Sequence, residues 1–199
     1  HGKIINDCMM NTKLFYLHLW DLNNRIDAPY ELILLNPLNI DKSEAKRLLN
    51  GWKSSRDIER FIKGARNIGP DENILDFAFN PKGNTDIETF NALNKKIYDL
   101  FHVSTEKPRP KVEDFPEFLL TMTTFDPKEY GEDFIKSFAP DVKPDGRTGK
   151  NCLRSVVMNP YLQYASGDFF EKIANILDQA VRKLMRKSPE RNAINDPAN

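Results

Sequence analysis

ILDFAFNPKGNTDIETFNALNKKIYDLFH, residues 74–102, joins two periodicities across one corner. Ile74 to Phe79 reads as a buried strand. Asn80-Pro81 ends it, because proline lacks an N–H and holds the residue before it extended. From Thr85 onward Ile87, Phe90, Leu93, Ile97, Leu100 and Phe101 recur at helical spacing, which predicts a helix to about His102 with one face on a core. The same succession of apolar run, Asn-Pro or Asp-Pro, and further chain returns at 33–37 (ILLNP), 121–127 (TMTTFDP) and 155–160 (SVVMNP). Parallel neighbours need a crossover that is usually helical, so the repeat predicts an α/β protein. The expected architecture is a mostly parallel sheet of four to five strands with flanking helices, and the alternative is an α+β arrangement.

Outward from these corners, residues 3–5 (KII) read as a short strand and 11–24 as a helix carrying Leu14, Leu17, Leu19 and Leu22. Asp41 with Glu44 has capping-box spacing, and a second helix is expected near Ser54 or Ser55 with Ile58, Phe61, Ile62 and Ala65 on one face. Asp126-Pro127-Lys128-Glu129 opens a short helix, 139–150 (APDVKPDGRTGK) reads as an exposed loop, and Cys152 to Met158 reads as the last strand. Gly167 to Lys187 carries one apolar stripe and a basic final turn, as a helix packed on a core does. Residues 1–187 are thus expected to form a single α/β domain with a sub-boundary near 107–111 (KPRPK), followed by a C-terminal tail at 188–199.

Lys plus Arg and Asp plus Glu each number 29 in the 199 residues, so no net field draws the chain to nucleic acid or to an anionic membrane. The apolar run Leu14 to Trp20 is interrupted by His18 and falls far below the roughly 20 residues of a bilayer span. Cys8 and Cys152 are too few for a disulfide framework or a metal knuckle. They read as reduced thiols of a cytoplasmic protein, and the sequence leaves open whether they pair.

In a parallel sheet the four corners would bring Asn36, Asn80, Asp126 and Asn159 together at the carboxyl ends of the strands, where open α/β sheets bind ligands. The plain alternative is helix capping, since Asp126, Pro127 and Glu129 suit the N-cap, N1 and N3 positions and Asn159-Pro160 the first two. Residues 79–86 (FNPKGNTD) lie between strand and helix, where backbone amides and a helix dipole can hold phosphate and Lys82 would add charge. Gly83-Asn84-Thr85 resembles the phosphate loop of flavodoxins and FMN reductases, with Pro81 and Lys82 where those loops carry Ser or Thr. The resemblance implies FMN as cofactor, held over 80–86. Against it, Thr85 with Glu88 is itself a capping box.

Weaker patterns complete the survey. Asp114, Asp126 and Lys128 imitate the acids and lysine of a metal-dependent nuclease, but Pro127 breaks the strand such a site needs. Arg56, Arg60 and Lys63 form one basic stripe, and Lys143, Arg147, Lys150 and Arg154 crowd another region. Asp57, Glu59 and Asp145 dilute both, so they read as solvated faces. No metal-ligand spacing and no Gly-x-Ser-x-Gly elbow accompanies His18 or His102. Strong scaffold signals beside weak chemical ones favour a non-catalytic binding or protein-interaction module of a larger intracellular protein, with another protein as its partner. The alternative is a flavodoxin-like FMN-dependent oxidoreductase.

Overall fold

The computed structural model describes residues 2–103, 116–165 and 167–186. Its helices are α1 (Gly2–Leu22), α2 (Lys42–Ser55), α3 (Ile58–Ala65), α4 (Ile87–Leu100), α5 (Pro127–Tyr130), α6 (Glu132–Ser137) and α7 (Phe169–Arg186). Its strands are β1 (Tyr30–Leu34), β2 (Ile74–Pro81), β3 (Thr121–Phe125) and β4 (Lys150–Val156). The expected linker at 107–111 and tail at 188–199 lie outside the described residues.

The four strands form one sheet in the order β1-β2-β4-β3, and every neighbouring pair is antiparallel. This corrects the mostly parallel sheet expected from the corners, and the α+β alternative is the arrangement found. The physical reason lies in one insertion. Because β2 and β3 are each antiparallel to β4, they run in the same direction and α4 connects them as a crossover helix does; β4 then enters between them from the opposite direction. The α2–α3 excursion likewise returns the chain antiparallel to β1. Residues 3–5, expected as a strand, are helical and belong to the first turns of α1.

Strand alternation sorts the core into two layers. Leu75, Phe77 and Phe79 of β2 and Leu153 of β4 join a large cluster with α1, α2, α3 and α7. Ala78 and Cys152 face a smaller one built with Phe125, Ile135, Phe138 and Val142. Helix α4 serves both, placing Ile87 and Phe90 in the smaller cluster and Leu93, Ile97 and Phe101 in the larger.

It does so because β2 and β4 separate. Their ladder runs from Ile74 opposite Val156 to Phe77 opposite Leu153 and stops. Beyond that point α4 supplies the missing partners. Asn94 Oδ1 accepts from the Phe79 N–H and its Nδ2 donates to the Phe79 carbonyl, both at 2.9 Å. One helical turn earlier Asn91 treats β4 alike, accepting from the Asn151 N–H and donating to the Gly149 carbonyl, both at 2.8 Å. The two side-chain amides thereby stand in for a strand. Gly149 is required beside them, since a Cβ there would lie 2.7 Å from the Phe125 carbonyl oxygen.

Aspartates start five of the helices: Asp41, Asp57, Asp86, Asp126 and Asp168 each accept from a backbone N–H of the first turn. Pro127 follows Asp126 at N1, as the sequence suggested. Residues 54–55 complete α2 rather than begin the next helix, and Arg56 closes it in the left-handed region with φ of 53°.

Replacing Asn94 by Ala strands a buried N–H and a buried C=O at Phe79. With about 1–3 kcal/mol lost per orphaned group, the variant is expected to be about 3 kcal/mol less stable in urea unfolding. Asn94→Asp, which keeps the acceptor and loses the donor, should not restore it. A loss under about 0.5 kcal/mol would show that the amide is not needed to bridge the gap.

Candidate functional site

The antiparallel register divides the four proline corners between two ends of the sheet. Asn36 leaves β1 past Leu34, and Asn159 follows β4 past Val156, which lies opposite Ile74; both therefore sit where β2 begins. Asn80 lies near the end of β2, and Asp126 follows Phe125, whose partner Lys150 begins β4; these two share the other end. At the first end the corners serve α1 through their backbone: the Asn36 carbonyl accepts from Tyr16 Oη at 3.0 Å and the Asn159 carbonyl from Asn11 Nδ2 at 2.9 Å. The Asn159 side chain accepts from the Tyr161 N–H, and Asp126 caps α5. Asp114, the third member of the nuclease-like pattern, lies outside the described residues.

The loop at 80–86 closes on itself. Asn80, buried, donates to the Asn84 carbonyl at 3.0 Å, while Asn84 Nδ2 donates to Asn80 Oδ1 and to the Asp86 carbonyl. The Asn84 N–H donates to the Pro81 carbonyl, the Lys82 N–H to the Pro29 carbonyl, and the Lys143 N–H to the Thr85 carbonyl. Gly83, with φ of 76°, makes the turn. The N-cap of α4 is Asp86 rather than Thr85, and it accepts from the backbone and the hydroxyl of Thr89. A phosphate arriving there would meet a carboxylate at the dipole's positive end.

The more organised electrostatics lie in residues the sequence did not single out. Asp168 is the first. Its Oδ1 accepts from the Glu171 N–H in the first turn of α7, and its Oδ2 lies 3.1 Å from His18 Nε2 of α1, with both side chains buried. Arg56 approaches the same oxygen at 3.8 Å, which takes it out of the basic stripe expected with Arg60 and Lys63. Burial opposes ionisation of Asp168, but His18, the Glu171 amide and Arg56 together hold its carboxyl below the usual value.

Asp178, halfway along α7, is the second. Tyr30 Oη and Arg182 Nε bond one of its oxygens and Arg25 Nη1 the other. Burial again opposes the charge, and the Tyr30, Arg182 and Arg25 contacts outweigh it, so the carboxyl stays below its ordinary range. The two aspartates fasten α7 to α1, to the turn after it and to β1. A charged residue interrupting the apolar stripe of α7 was the available signal for Asp178.

Two lysines are enclosed. Lys150 was expected on a solvated face, yet it is 0% exposed and its ammonium donates to the carbonyls of Ile135, Phe138 and Ala139 at 2.7, 2.7 and 2.8 Å. Burial lowers its pKa to about 8. A lysine so lowered is the usual source of an amine nucleophile, but all three donors of this one are spent on carbonyls behind an apolar wall. It caps the C-terminal end of α6, where a cation suits the dipole. Lys13 does the same beyond α3, donating to the Ile68 carbonyl at 2.6 Å and facing Asp71 at 3.2 Å. Arg154 also leaves the expected basic face: it grips Asp76 across the β2–β4 ladder with bonds of 2.7 and 3.1 Å.

Among the described residues no group of three or more His, Cys, Asp and Glu is placed to hold a metal ion, and no helix is long and apolar enough to cross a membrane. Cys8 and Cys152 are free and buried, and burial raises both thiol pKa values. The surface does hold an apolar cluster, where Ile4 and Ile5 on α1 meet Met158, Tyr161 and Tyr164 around two adjoining concavities.

Residues 57–185 match the family model described as tyrosine decarboxylase, C-terminal. Over 97 residues the chain is 34% identical to L-tyrosine decarboxylase of Enterococcus faecalis, an alignment covering 47% of this chain and 15% of that enzyme. The matched stretch is thus a small part of the relative's length.

Asp178→Asn keeps the shape of the α7 anchor and removes its charge, so a loss of about 2 kcal/mol is expected at pH 7 by urea unfolding, below the figure for a fully buried pair because both arginines are partly exposed. Since the folded carboxyl titrates below the unfolded one, its stabilisation is complete above the unfolded value of 3.8 and disappears as pH falls through the lower folded value. The variant should therefore lose less stability than wild type on acidification below about pH 4.

Lys150→Met leaves three carbonyls unpaired and is expected to be about 3 kcal/mol less stable at pH 7. With the folded amine at about 8 and the unfolded at 10.5, the unfolded chain holds the extra proton between them. Wild type should accordingly gain stability relative to the variant as pH rises across that window.

Proposed function

Because the chain belongs to the family of tyrosine decarboxylase C-terminal domains, we propose that it is the C-terminal domain of a larger decarboxylase acting on L-tyrosine, and that it serves there as a non-catalytic module. The observation that carries this reading is the family match from Asp57 to Met185, which runs through β2, α4, β3, β4 and α7. The substrate comes from the name of the Enterococcus faecalis relative. In the reaction the carboxylate departs as CO2, its bonding electrons remain on the α-carbon, and a proton takes its place. The intermediate carbanion needs an electron sink of the kind cofactors supply. In this reading the sink and the substrate pocket belong to the rest of the enzyme.

The organised polar groups of the domain favour a supporting role. Asp168, Asp178, Lys13 and Lys150 all bind helix ends or neighbouring elements of the same chain. Two free, buried thiols suit a reducing cytoplasm. The flavodoxin-like alternative finds no support in the comparisons, and the self-closed loop at 80–86 with its acidic cap speaks against a phosphate there.

The test is an assay of CO2 and tyramine release from L-tyrosine by the full-length protein carrying these 199 residues and, in parallel, by the 199-residue chain. Product from the full-length protein and none from the chain is the expected result. Turnover by the chain alone would overturn the non-catalytic role, and no release of CO2 from tyrosine by the full-length protein would overturn the substrate.

A further inference from the structure

The first turns of α1 project from the body: residues 2–6 are all exposed, whereas nearly every residue from Met10 to Leu22 is buried. On those turns Ile4 and Ile5 are 50% and 60% exposed. Beside them, on the segment after β4, Met158, Tyr161 and Tyr164 are 72%, 68% and 57% exposed. Two bonds lock the helix to that segment, from Cys8 Sγ to the Met158 carbonyl at 3.2 Å and from Asn11 Nδ2 to the Asn159 carbonyl at 2.9 Å. The cluster is therefore one surface rather than scattered side chains. Its two concavities, about 420 and 300 Å³, share Ile4, and Lys3, Asp7, Asp71 and Glu72 rim them. Isoleucine, methionine and tyrosine inside a charged margin is the composition of a protein interface.

We infer that this surface docks onto the part of the decarboxylase that precedes the chain in the same polypeptide, an inference that rests on the C-terminal-domain reading above. Two observations select that occupant over a second copy of the chain. The aligned stretch spans only 15% of the Enterococcus faecalis enzyme, so a large preceding body is available to cover the patch. In that reading the body lies ahead of the family match, and the patch includes the first turns of α1, the described segment nearest to it in sequence. The occupant presents a mainly apolar face, since the centre of the patch offers few charges for it to match.

The test uses the full-length protein with a single probe cysteine at each of three sites in turn: Ile5→Cys and Met158→Cys within the patch, and Tyr130→Cys, a site 46% exposed on α5 and outside it. Alkylation rates are read by mass spectrometry of the probe peptide and normalised to the urea-unfolded protein. The expected result is labelling at positions 5 and 158 at least about tenfold slower than at 130, unchanged on dilution. Equal rates at the three sites would overturn the inference. Protection that fades on dilution would overturn it too, by assigning the patch to a second copy. Labelling does not require turnover, so a protein that shows the protection yet releases no CO2 from tyrosine would keep this interface and lose only the proposed activity.

Discussion

A gap in the sheet governs how this molecule is put together. Once β2 and β4 part after Phe77 and Leu153, two buried strand edges face one another with no ladder between them. Backbone groups removed from water must be paired or the fold loses several kcal/mol at each such edge. Asn91 and Asn94 meet that demand from one helix face, and in doing so they fix both the depth and the rotation of α4. With α4 so placed, Phe90 reaches the small apolar layer and Leu93 and Ile97 the large one. The antiparallel entry of β4, the close passage of β3 over Gly149 and the two-layer core all follow from the same seat.

The large layer is closed by a second device. Phe15 of α1 stacks on Phe170 of α7 at 5.7 Å, and two acidic anchors ten residues apart hold α7, Asp168 to α1 and Asp178 to β1 and the turn after α1. Such anchors fix orientation, and breaking one by removing a single partner is costly because the remaining charge has already lost its water. The family match begins at Asp57, so α1, β1 and α2 lie ahead of it. They are nonetheless integral here: without them Phe77, Phe79 and Phe170 would lose the covering supplied by Leu14, Tyr30 and Leu49.

Much of the element order was legible. The apolar runs before Pro81 and Pro127 do contain strand residues throughout, those before Pro37 and Pro160 overlap only the ends of β1 and β4, and Asp126-Pro127 does open a helix. Strand direction was not legible. The single helix α4 links strands of one direction, whereas the paired helices α2–α3 and α5–α6 bring the chain back reversed, and β2 is buried on both faces, which hides the alternation that usually marks an antiparallel strand. The proposed ring of corners depended on direction and divided with it. Asn91 and Asn94 read as ordinary polar residues because nothing local announces that an amide will face a broken ladder. Lys150 read as part of a basic surface for a similar reason: its three acceptors are 11 to 15 positions away in the chain. Thr85 was the capping candidate, and the register of α4 placed the cap one residue later, at Asp86.

The enclosed ammonium groups of Lys13 and Lys150 have a practical corollary. Amine-modifying reagents, and enzymes that acylate lysine, need the nitrogen free of its acceptors and open to solvent. Neither residue meets that condition unless the chain around it opens, while surface lysines such as Lys82 and Lys96 are open to solvent at all times. The two sites report on different openings, Lys13 on release of α1 from the turn after α3 and Lys150 on release of α6 from the sheet. Their acylation rates would time the separate loosening of two halves of the domain inside the intact protein.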